Sequence, residues 1–184
     1  MRSARGNLPL LLLWAVVAGC EGISDDLFPS GADNRPAVEA GTVGPEVGQT
    51  APDFTVPDTL GGDFTLSEEL PAARAVVVYF TMWCPTCDSH MSHMRDTLMP
   101  GYPDVTFLAV DYVSGSVADA RSAQDSHGFG GPDFRVVADL SGEVEALYEG
   151  TMGTAVVIDA GGVVRLNEDY KDGSRVDDVL AGLE

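Results

Sequence analysis

The chain has 184 residues, 45% of them hydrophobic, and a formal net charge of −19 from 29 acidic against 10 basic side chains. That length supports one core of ordinary size and one domain. The acidic balance repels nucleic acid and anionic headgroups, so neither is expected as a ligand, and without a "DxDxDG" loop the acids are expected to form a solvated surface and not a calcium site.

The first residues read as a secretory signal. "MRSARGN" carries two arginines and no acid, "LPLLLLWAVV" is an apolar run, and "VAGC" closes it at Cys20. The run falls short of the ~20 apolar residues a spanning helix needs. "VAGC" resembles a bacterial lipobox, whose cysteine is lipidated and becomes the first mature residue. An ordinary cut after Ala18 stays open as the alternative. Cysteine arithmetic favours the lipid, because Cys84 and Cys87 pair naturally and would leave Cys20 as an exposed free thiol in an exported protein. Residues 21–47, rich in Gly, Pro and acids with isolated hydrophobics, are expected to be a flexible linker. The reading is of an exported chain, lipid-anchored to a bacterial membrane and facing the periplasm or cell exterior.

Residues 48–184 alternate strands and helices. "DFTVP" and "GDFTL" predict a small hairpin, followed by a short turn at "SEEL" capped by Ser67. Ala75 to Phe80 is an unbroken apolar run of the buried-strand type, and Cys84 to Leu98 predicts a helix. Val105 to Val110 is a second buried strand, and "SVADARSAQDSHG" a helix stopped at Gly128. There follow a strand at "FRVVAD", a short helix at "SGEVEALYEG", a hairpin of "TAVVID" with "GGVVRLN", and a closing helix at "SRVDDVLAGL". This order predicts an α/β fold with a central mixed sheet flanked by helices, preceded by the N-terminal hairpin.

The chemistry is expected at "VVVYFTMWCPTCDSH", residues 76–90. A buried strand followed at once by a helix places Cys84 at the helix N-terminus, where free amide groups and the dipole favour a thiolate. Cys84 is therefore the expected nucleophile. Cys87, one turn further and shielded, is placed to resolve a mixed disulfide formed on Cys84. Pro85 suits the first helical turn, where an N–H has no partner. A plain stapling disulfide is the bland alternative, though so short a loop contributes little stability.

With Trp83, the strand and the helix all in place around the cysteines, the chain resembles the thioredoxin superfamily, and within it the exported, membrane-tethered TlpA-like or redoxin (AhpC/TSA-related) thiol-disulfide oxidoreductases. "GQTAPDFTVPDTLGGDFTLSE", "VVVYFTMWCPTC", "FRVVADLSGEVEALY" and "TAVVIDAGGVV" carry the resemblance; "FRVVADLSGEVEALY" matches the family's central insertion. It implies a thioredoxin-like fold and dithiol-disulfide exchange through Cys84 and Cys87, with Trp83, Pro85, Met152 and Gly153 around the substrate. Its partners would be disulfide-containing exported proteins and a membrane reductase as electron donor. It implies no cofactor and no metal.

Five positions depart from that family's pattern. Val78 stands where thioredoxins keep a buried Asp, Ser92 where a helix-kinking proline is usual, and Gly153 where the cis-proline would face the disulfide. His90 and His93 replace residues that do not coordinate metals. Met91 and Met94 are expected to fill the core, His90 and His93 to lie on a solvated shoulder, and His127 to have no evident partner. Two other functions stay open: a copper-binding lipoprotein resembling the Sco type, with His127 as its distant ligand, and a thiol peroxidase, since Thr81 and Cys84 match a "TxxC" motif.

Overall fold

The computed structural model describes Val38, residues 41–129 and residues 134–183. The expected signal and lipobox at 1–20, Cys20 included, and the expected linker up to 37 lie outside the described residues. The last stretch of that linker is hydrogen-bonded to the domain: Gly44 N–H donates to Thr50 O at 3.0 Å, and Asn167 Nδ2 donates to Pro45 O at 3.1 Å. Among the described residues no helix is long and apolar enough to cross a membrane.

The expected N-terminal hairpin forms from β1 (Thr55–Pro57) and β2 (Asp63–Thr65), with Val56 opposite Phe64. A short α1 follows (Leu66–Glu69). Ser67 does not cap it. The N-cap position is Thr65, without a side-chain bond, and Ser67 instead donates its N–H and hydroxyl to the two oxygens of Asp53, at 2.9 and 2.6 Å. A carboxylate upstream accepts both donors at once, which a hydroxyl cannot do as well.

The centre of the molecule is β3 (Ala75–Thr81), every residue of which is buried. Its β-branched and aromatic side chains suit a strand covered on both faces. It pairs in parallel with β4 (Val105–Asp111) and antiparallel with β6 (Thr154–Asp159). Outside these lie β5 (Arg135–Ala138), parallel to β4, and β7 (Val164–Asp169), antiparallel to β6, giving the order β5-β4-β3-β6-β7. The expected mixed sheet is therefore present. Its helices are α2 (Pro85–His93), α3 (Val117–Ser126), α4 (Glu143–Tyr148) and α5 (Ser174–Gly182).

Alternation along β3 divides the core. Val77 and Tyr79 pack with Cys87, Met91, Met94 and Leu98 on one face. Val76, Val78 and Phe80 pack on the other with Phe54 and Phe64 of the hairpin and with Val144 and Tyr148 of α4. The methionines are fully buried core side chains, as their spacing suggested. The helix expected over 84–98 is not one regular helix: α2 stops at His93 and continues as a π turn over Met94–Leu98, with Met94 N–H shared between His90 O and Met91 O. The irregularity begins two residues beyond Ser92, where no proline is present to impose one.

Candidate active site

Two strand ends and one helix start build the site. Thr81 and Asp111 end β3 and β4 opposite each other in register. Ligand sites of open α/β sheets gather outside such carboxyl ends. The fully buried Asp111 carboxylate accepts the indole N–H of Trp83 at 2.7 Å, the N–H groups of Val113 and Ser114 at 3.0 and 2.9 Å, and the Ser114 hydroxyl at 2.6 Å. Thr81 Oγ1 takes the backbone N–H of Trp83 at 3.1 Å. These bonds hold Trp83 at φ +58, a left-handed conformation that costs a bulky residue about 1–2 kcal/mol and here turns the chain sharply into α2.

Cys84 is the N-cap of α2, in extended conformation, and Pro85 begins the helix. Cys84 Sγ accepts the N–H of Cys87 at 3.2 Å, which offers an anionic sulfur an amide donor as well as the positive helix end. Cys84 is partly exposed and Cys87 fully buried, and their sulfurs lie 2.8 Å apart. Burial pushes the Cys87 thiol up. Hydrogen bonds with Cys84, with the Met82 and Cys84 backbone and with the Thr81 hydroxyl together outweigh that, holding it below the ordinary thiol value. The pair can therefore share one negative charge across a short contact.

Beneath the cysteines the helix carries a second cluster that sequence reasoning placed in solvent. His90 is half-buried, its Nδ1 3.0 Å from the Tyr79 hydroxyl, and His93 Nδ1 lies 2.7 Å from the Tyr170 hydroxyl. The rings interlock: Tyr79 meets Tyr170 edge-on at 5.9 Å, and His90 lies 4.9 Å from Tyr170. The correction has a simple cause. Three residues beyond Cys87, His90 lies on the same helix face as the buried thiol, and Tyr170 covers that face from beyond β7. Burial, then the nearby Cys87 charge and a hydrogen bond to it, push the Tyr79 phenol far above its ordinary value. Burial pushes His90 down, and the neighbouring His93 adds to that, against the Lys171 backbone and Asp169.

His127 also has partners: its Nδ1 lies 2.9 Å from both oxygens of Asp88, and its ring lies tilted against that of Trp83, with centroids 5.5 Å apart. The contact between the Asp88 carboxylate and His127 Nδ1 ties the end of α3 to the first turn of α2. Among the described residues no three His, Cys, Asp or Glu side chains converge as metal ligands.

Gly153 sits at φ +87 and no described peptide bond is cis. Its N–H donates to Phe80 O at 3.1 Å, its carbonyl accepts from Tyr170 N–H at 2.8 Å, and a Cβ there would stand 3.7 Å from the His90 ring. The loop thus covers His90. Met152 beside it is exposed, as are Met82 and Val113, so the surface carries apolar side chains on the β3, β4 and β6 loops. Of the sequence-predicted residues, Trp83, Cys84, Pro85 and Cys87 form one continuous turn, while Gly153 reaches it through Phe80 and His90. Sequence reasoning missed Asp111 and Tyr79. A lone acid ending an apolar strand, and a tyrosine within one, were the available signals.

Residues 46–182 match the Redoxin family. No curated protein sequence matches the chain. Among solved structures, it is similar to a candidate protein disulfide isomerase from Bacteroides thetaiotaomicron, with 20% identity and a TM-score of 0.63 over 75% of this chain and 89% of that one. A candidate thiol:disulfide interchange protein DsbE from Chlorobium tepidum aligns with 23% identity and a TM-score of 0.62 over 80% of this chain and all of its own. The peroxidoxin BcpB from Mycobacterium tuberculosis aligns with 24% identity and a TM-score of 0.58, over 74% and 95% of the two chains. At these identities the structures establish a shared thioredoxin-like fold, and with the family match over most of its length the chain belongs to the Redoxin family.

Proposed function

We propose that the protein is an extracytoplasmic, membrane-tethered enzyme that reduces disulfides of exported proteins through the Cys84–Cys87 pair. The observation that carries this reading is the unequal exposure of two sulfurs 2.8 Å apart, one at a helix N-cap and one buried. Cys84 thiolate attacks one sulfur of the partner's disulfide, forming a Cys84–partner bond and expelling the other partner sulfur as thiolate. Cys87 loses its proton and attacks Cys84 Sγ, which forms the Cys84–Cys87 disulfide and releases the second partner thiol. A membrane reductase returns the two electrons. The exposed apolar side chains of Met82, Val113 and Met152 suit extended segments with apolar flanks. The "VAGC" motif at Cys20 supports the tether.

The peroxidase reading gains less, since the Thr81 hydroxyl is engaged by Trp83 N–H and by Cys87 and is not free beside Cys84. The test is trapping. Cys87→Ser should accumulate mixed disulfides with partner proteins in the membrane fraction, and Cys84→Ser should not. Trapping by Cys84→Ser alone would reverse the roles. Release of the protein from membranes by Cys20→Ala is the expected result for the tether, and a wild-type protein already free of the membrane would overturn that part.

A further inference from the structure

The reaction just described removes a proton from a sulfur that water does not reach. Cys87 is fully buried, and at the moment of its attack Cys84 is bonded to the partner and cannot take the proton across the 2.8 Å contact. The Thr81 hydroxyl accepts from Trp83 N–H and is too weak a base to receive a proton near neutral pH. Val78, at the position where thioredoxins keep a buried Asp, packs on the opposite face of β3 from Cys87. The β3 side chain on the thiol's own face is Tyr79.

We propose that Tyr79 and His90 form the proton relay of the buried thiol, with His90 as the terminal base and the Gly153 loop as its cover. Tyr79 packs with Cys87 in the core cluster on this face of β3, and its hydroxyl lies 3.0 Å from His90 Nδ1. With Cys87 as a thiol, S–H donates to the phenol oxygen while the phenol donates to His90. When Cys87 attacks, its S–H proton passes to Tyr79 oxygen as the phenolic proton passes to His90 Nδ1, leaving a thiolate, a neutral tyrosine and an imidazolium. His90, half-buried, then returns the proton to solvent. No electrons move in this transfer, and Tyr79 ends as it began. Because burial disfavours the charged imidazole, His90 is neutral and able to accept at neutral pH. Tyr170, at 4.9 Å from the His90 ring and bonded to His93, holds that ring in place.

The relay rests on the assigned roles of the two cysteines, and one experiment separates the two ideas. Reduced full-length protein carrying Cys20→Ala, so that Cys84 and Cys87 are its two thiols, is mixed in stopped flow with excess dithiobis(nitrobenzoate). Attack by Cys84 releases one nitrothiobenzoate, and attack by Cys87 on the resulting mixed disulfide releases the second. Tyr79→Phe and His90→Gln, the latter keeping a hydrogen-bonding side chain that cannot accept a proton at this pH, should slow the second release roughly ten- to hundred-fold. The first release should keep its rate. In the wild type the second rate should rise with pH as His90 becomes neutral, and that limb should vanish in His90→Gln. The groups facing His90 that shape the profile are Tyr79, Tyr170, His93 and Asp169, with both cysteines beyond Tyr79. A second release unchanged in His90→Gln, or slowed equally with the first in both variants, overturns the relay. A wild type that shows one release and forms no Cys84–Cys87 disulfide overturns the cysteine roles and the relay with them.

Discussion

Gly153 offers the most direct test of how the site's outer wall is held. Its φ of +87 is a conformation that L side chains rarely adopt, and its N–H is bonded to Phe80 O at 3.1 Å. Three substitutions separate these features. Gly153→Asn enters positive φ with the least strain and should be tolerated best. Gly153→Ala carries a Cβ 3.7 Å from the His90 ring, an ordinary contact, so its expected loss is the backbone strain alone, about 1–2 kcal/mol. Gly153→Pro cannot reach this φ, because the ring holds it near −65°, and it also removes the donor to Phe80 O. Strain of about 3 kcal/mol and a bond worth about 1 kcal/mol together predict a loss near 4 kcal/mol. At roughly 4 °C per kcal/mol, thermal unfolding should fall by about 4–8 °C for alanine and about 15 °C for proline. Insulin reduction should drop in the proline variant as the cover over His90 moves. A proline variant that melts with the wild type and reduces insulin at the same rate would refute the reasoning.

Cys84 should alkylate with iodoacetamide faster than Cys87 near neutral pH, because only its sulfur is partly exposed; mass mapping of the labelled peptides checks this, and equal rates would count against it. Asp111→Ala removes the acceptor of four bonds and should destabilise by about 3 kcal/mol, with a change in Trp83 fluorescence, whereas Asp111→Asn should lose less than half of that. Folding depresses the His90 value below 6.5, so between the folded value and 6.5 the unfolded chain binds more protons. Stability should therefore fall as pH drops through that window, and His90→Gln should flatten that part of a melting-temperature profile taken from pH 7 downwards; the lowered Asp58 acts only further down, in the carboxylate range.

The strands were legible because their signals are local and redundant. An apolar run such as "AVVVYF" reads as a buried strand whatever surrounds it, and Gly128, at φ +77, follows the end of α3 where the sequence places the helix stop. The cysteine turn was legible for the same reason, since strand, helix and spacing lie within twenty residues. What escaped depended on partners far along the chain. Ser67 lost its role to Asp53, fourteen residues upstream, and His90 and His93 were drawn inward by Tyr79 and Tyr170, the latter 77 positions from His93. In a strand buried on both faces, periodicity cannot tell which residues face the helix, so Tyr79 and Val78 looked equivalent.

That equivalence matters for how departures from a family pattern are weighed. Taken singly, a valine for an acid at 78 and a glycine for a proline at 153 read as losses to the site. In the fold they sit around one object. Val78 faces away from Cys87, while Tyr79 faces it and holds His90. Gly153 then crosses over that same His90 ring, at a φ proline cannot adopt, and its carbonyl is fixed by the N–H of Tyr170, whose own ring packs against His90. Gly153 thus gives the loop a φ that proline cannot adopt, and that loop lies over the imidazole bonded to Tyr79, so positions 90 and 153 belong to one wall of the site.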